Sequence, residues 1–108
     1  MENKHSPFGP ELFFLAGAQF TKYKTLPQSV FVAGKQLSYK FEPNNPYDNK
    51  AIAIFLDGVQ IGYVRKGSIQ DKIFDLRELM DIEMYLKEFN PNAKIPKSIL
   101  IEVKFIAR

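Results

Sequence analysis

Apolar and polar positions along the chain fall into short alternating runs separated by proline-, glycine- and asparagine-rich breaks, the pattern of strands rather than long helices. Residues 1–10 hold two prolines and a glycine and read as an irregular lead-in. The block at residues 11–20 suits a buried first strand, with Gly17 marking a bulge or a close backbone approach. Residues 21–34 stay ambiguous, with 29–33 either a short strand or an ordered loop. Over 35–41, Leu37, Tyr39 and Phe41 alternate with polar neighbours, the period of a half-exposed strand. Residues 42–50, with two prolines and three asparagines, form a loop, and the apolar run 51–56 returns to a strand. Asp57-Gly58 predicts a type I′ hairpin leading into a strand over 59–64.

The spacing then changes to that of a helix. Ile69, Ile73, Leu76, Leu79 and Met80 lie on one face, and Asp71, Lys72, Asp75, Arg77 and Glu78 on the other. A helix over 68–80 follows, with Ser68 as N-cap and Asp71 completing a wider capping box. Two further strands, 82–89 and 98–106, finish the chain around a loop at 90–96. Strands in series with one inserted helix predict a mostly β, α+β domain: a small closed or partly open barrel with the helix over one end or face. One domain spans 11–108, with no repeat or interdomain linker.

Composition narrows the chemistry. The chain has 108 residues, ten Phe and five Tyr, the size and aromatic content of a single strand-rich domain. No cysteine is present, which excludes disulfides, thiolate metal sites and a Cys nucleophile. With the polar N-terminus and no long apolar run, this predicts a soluble, cytoplasmic protein without signal peptide or membrane span. A net charge of +3 permits phosphate contact without demanding it. His5 is the only histidine, so neither a His-rich metal site nor a Ser-His-acid triad in the folded core is expected. No nucleotide-binding glycine loop exists, and no spacing demands a carboxylate pair such as Glu42 with Asp48. The expectation is a non-catalytic domain with no cofactor and no metal.

The unusual segment is 42–50. Asn45, Pro46, Tyr47 and Asp48 either present an aromatic face beside a carboxylate, or form a plain turn with Tyr47 packed on the barrel and Asp48 capping backbone amides. Residues 41–54, with Asn45-Pro46-Tyr47-Asp48 followed by Ala51-Ile52, resemble the HIRAN domain. So do 58–66, with Ile61-Gly62-Tyr63-Val64 and then Arg65 and Lys66, and the upstream Leu15-Ala16-Gly17-Ala18. The resemblance covers about residues 12–106 and implies an OB-like barrel of six strands with one main helix. HIRAN domains occur attached to SWI/SNF-type helicases and as small stand-alone bacterial proteins, which this chain resembles.

The resemblance further implies a module for single-stranded DNA with a free 3′ end, serving repair or replication restart, with a repair protein or helicase as a further partner. By that likeness Tyr47 stacks on a terminal base, and Asp48 accepts the 3′-hydroxyl. Lys66, with Arg65, contacts a backbone phosphate, and Asn45 and Tyr63 belong to the same pocket. The family carries an Arg-Tyr pair where this chain has Gln19-Phe20: Phe20 keeps the stacking face without the hydroxyl, and Gln19 loses the charge. Lys22, Tyr23 and Lys24, just beyond, are the candidates to substitute. The alternative is a protein-interaction domain on the same barrel with a degenerate DNA pocket. Hydrolase or zinc roles of attached helicases do not transfer, because the chain holds no helicase motif and no zinc ligand set.

Overall fold

The computed structural model describes residues 8–94 and 97–108. Six strands form one antiparallel sheet: β1 (Glu11–Phe14), β2 (Gln36–Glu42), β3 (Ala51–Leu56), β4 (Val59–Tyr63), β5 (Met80–Phe89) and β6 (Ile99–Ala107), in the order β1-β6-β5-β2-β3-β4. Among the described residues a single α-helix, α1 (Ser68–Leu76), lies between β4 and β5. The sheet curls, and one bridge joins its two ends: the Ala16 amide donates to the Tyr63 carbonyl at 2.9 Å, and the Tyr63 amide returns the bond at 2.8 Å. A closed seam leaves less free edge for another chain to pair with. The expectation of a small OB-like barrel with one helix therefore holds.

Gly62 makes the closure possible. A Cβ there would lie 2.6 Å from the Ala16 carbonyl oxygen and equally close to the Leu15 side chain, far inside van der Waals contact. Only a residue without a side chain lets the two strand ends meet. The barrel turns its corner along β2. This strand pairs with β5 only at Gln36↔Tyr85 and Leu37↔Met84, then with β3 from Ser38↔Phe55 to Glu42↔Ala51. Where β2 leaves β5, the Tyr39 hydroxyl donates to the Ile82 carbonyl at 3.0 Å and ties the corner down.

Strand alternation sends Ile52, Ile54, Leu56, Ile101 and Val103 into a solvent-free core. Ala51 and Ala53 point to the other side of β3 and are also buried, so the whole strand reads as apolar. The Asp57-Gly58 turn has positive φ at both residues, 50° and 81°, as the hairpin required. No helix among the described residues is long and apolar enough to cross a membrane.

Three expectations need correction, and one open alternative is decided. The first strand ends at Phe14 rather than 20, because Gly17 adopts φ 69° and turns the chain into a 3-10 turn, Ala18–Phe20. For the 29–33 segment, the ordered loop rather than the short strand is the reading that holds. Two further 3-10 turns, Tyr23–Thr25 and Gln28–Val30, occupy 21–34, and Leu26 and Val30 pack on the core. The helix is shorter than 68–80. Leu79 is 69% exposed, and Met80 already opens β5, where it is buried. Its N-cap is Gly67 rather than Ser68, with no side-chain capping bond. His5 and residues 1–7 lie outside the described residues, as do Ile95 and Pro96.

Candidate nucleic-acid interface

The loop between β2 and β3 is built by Asn45. Its Oδ1 accepts the amides of Tyr47 at 2.9 Å and Asp48 at 3.1 Å, while its Nδ2 donates to the Glu42 carboxylate at 3.0 Å. This side-chain turn replaces backbone bonds that Pro46 cannot supply. It leaves the Tyr47 ring in solvent at 91% exposure, so Tyr47 is not packed on the barrel.

Asp48 does cap backbone, as the plainer reading of the loop required, and it does more. One carboxylate oxygen, Oδ1, accepts the Lys50 amide at 3.0 Å, and Oδ2 accepts the Gln70 side-chain amide at 2.8 Å. Gln70 sits in the first turns of α1 and is only 4% exposed. The helix thus reaches across to the loop and fixes the carboxylate's orientation. The Gln70 bond first, then the Lys50 amide, hold the Asp48 carboxyl below its ordinary value of 3.8, with smaller help from the Lys66 and Lys50 charges. Asp48 is an anion at neutral pH, and each of its oxygens keeps a lone pair for another donor.

These groups line a cleft of about 680 Å³. Gly17, Tyr63 and Val64 flank it beside the seam, Ala51 is buried at its base, and Tyr47, Phe20 and Lys66 stand around it. Phe20 is 84% exposed, an uncovered ring like Tyr47. Lys66 belongs to no salt bridge among the described residues, so its ammonium is available to an anion.

Of the positions singled out from sequence, Phe20, Asn45, Tyr47, Asp48, Tyr63 and Lys66 come together here. Lys22 lies in an adjoining cleft, past Phe20. Gln19 and Arg65 are exposed and line neither cleft. Tyr23 is 8% exposed and packs edge-on against Phe31 in the core, so its ring offers no stacking face. Gln70 was not anticipated. Its signal was a polar residue three positions before Ile73, on the stripe that the helix buries.

The chain is similar to the crystal structure of the HIRAN domain of human HLTF, with a TM-score of 0.68, 23% identity, and coverage of 93% of this chain and 77% of that one. A Lactobacillus plantarum protein of known structure matches at a TM-score of 0.69 and 12% identity, over 93% of this chain and all of that one. At these identities both likenesses speak to the fold. A search of curated proteins found no match. The model of the HIRAN domain, generally a DNA-binding module, matches residues 12–104, and the chain belongs to the HIRAN family.

Proposed function

We propose that this domain grips single-stranded DNA at a free 3′ end, without chemistry of its own, and serves repair or replication-restart intermediates. The observation that carries the reading is the pairing of an exposed ring, Tyr47, with a carboxylate, Asp48, that Gln70 and the Lys50 amide hold ionised and aimed. A nucleobase stacks on an open aromatic face for ~1–3 kcal/mol whatever its identity. The terminal hydroxyl donates to Asp48, whereas a terminal phosphate meets a like charge. Phe20 supplies a second stacking face, and Lys66 a phosphate contact.

Fluorescence anisotropy at low salt tests this with 5′-labelled strands of ~10 nucleotides, within the site size of an OB-type fold. One strand ends in a 3′-hydroxyl, the other in a 3′-phosphate. The hydroxyl strand binds more tightly, and Asp48→Asn narrows the difference. Equal affinity for the two ends, or no binding, defeats the reading and turns Phe20 and Tyr47 toward a protein partner.

A further inference from the structure

Beside the first cleft lies a second, of about 500 Å³, lined by Phe20, Thr21, Lys22, Gly58, Val59, Gln60 and Tyr63. The two share Phe20 and Tyr63, so they adjoin at the exposed Phe20 ring. The second cleft runs along β4 on one side and the turn after Phe20 on the other.

Its charge is one-sided. Lys22 is exposed and forms no salt bridge among the described residues. Among the described residues no acidic side chain lines the cleft. Asp57, in the turn that leads into β4, is already paired with Lys35 at 3.0 Å. Gln60 adds a side-chain amide able to donate and accept, and Val59 adds apolar wall. Such a surface suits a polyanion carrying flat rings.

We propose that this second cleft is a subsite for the nucleotide on the 5′ side of those in the first, with a base against the far face of Phe20 and Lys22 on its phosphate. This rests on the 3′-end reading of the first cleft and gives the strand its course: from Asp48, past Phe20, along the outer side of β4. OB-type sites commonly span at least ~4 nucleotides, more than a cleft closed by a chain-end contact holds. Lys22 then supplies a cation on this side of the molecule, where Gln19 supplies none.

The test compares a 3′-hydroxyl dinucleotide with a tetranucleotide of the same bases, in wild type, Lys22→Gln, Phe20→Leu and Asp48→Asn. In the wild type the longer strand binds about tenfold more tightly, the effect of one added stack and phosphate contact. Lys22→Gln removes most of that gain and lowers the salt slope for the tetranucleotide by about 0.7, one counterion's worth on a single strand. Phe20→Leu reduces the gain without reducing the salt slope, since the lost contact is a stack. Equal affinities of the two lengths in the wild type, or a gain that survives Lys22→Gln, overturn the subsite while Asp48→Asn still reports on the terminal pocket. Should neither strand bind the wild type, the 3′-end reading and the subsite fall together.

Discussion

Two of the barrel's groups of aromatic rings differ in how their faces are used. Near the 90–98 connection, Phe31 and Phe89 stack on each other at 4.2 Å between ring centres, and Tyr23 meets Phe31 edge-on. They leave only a small recess of about 280 Å³, and each ring spends its face on another. At the cleft, Tyr47 and Phe20 stand 91% and 84% exposed, with no ring partner among the described residues. An exposed ring costs folding stability that a packed one supplies. One cluster therefore serves the fold, and the other leaves its faces open, as the proposed function requires.

Gly62→Ala breaks the comparison at its root, because the seam beside the cleft is forced apart. The added methyl meets the Ala16 carbonyl oxygen, a backbone atom that cannot swing away. The expected loss is up to ~3 kcal/mol in urea denaturation, with strand binding lost at the same time. A crossed pair of substitutions sharpens the contrast. Phe31→Ala removes a half-buried stacked ring and costs ~2 kcal/mol of stability while leaving the cleft's lining intact. Tyr47→Ala changes stability by no more than ~0.5 kcal/mol and weakens binding by ~1–3 kcal/mol. If Tyr47→Ala destabilises as much as Phe31→Ala, the division between the two clusters is wrong.

The smallest effect concerns Asp48. Gln70→Leu removes the bond that contributes most to holding its carboxyl low, so the Asp48 pKa climbs toward 3.8 in an NMR titration. Preference for a hydroxyl over a phosphate end falls by ~1 kcal/mol as the carboxylate loses its fixed aim. A carboxyl with a depressed folded pKa stabilises the fold above its unfolded pKa, and that contribution disappears as pH falls through the folded pKa. The stability difference between wild type and Asp48→Asn is accordingly constant near neutrality and shrinks on acidification below about pH 4. A difference that does not shrink at all between neutrality and pH 2 assigns the effect to something other than this charge.

Much of the fold is legible because its signals are local. Asp57-Gly58 needs no tertiary context to make a hairpin, and Leu37, Tyr39 and Phe41 declare their face by alternation alone. The OB-like barrel and the HIRAN family follow from motifs lying within single loops and strands. What was hidden depends on contacts between distant segments. Residues 11–20 look like one strand, since nothing in an apolar run announces that Gly17 takes a left-handed turn. Ser68 has the composition of an N-cap, but Gly67 occupies that position. Tyr23 and Tyr47 are alike on paper, and only the 3-10 turns of 21–34 decide that one ring is buried. Gln70 faces inward because Asp48, twenty-two positions earlier, is there to receive it.

The seam has a further consequence for dynamics. Where a barrel is closed by only two hydrogen bonds, from Ala16 to Tyr63 and back, amide protons are expected to exchange sooner than in the longer ladder between β5 and β6. Gly17 and Phe20 follow one side of that seam, and Val64 and Lys66 follow the other. A strand lodged across both sides acts as a clasp, slowing exchange at Ala16 and Tyr63 and raising the melting temperature by mass action. Occupancy is then readable from two backbone amides, with no label on the nucleic acid.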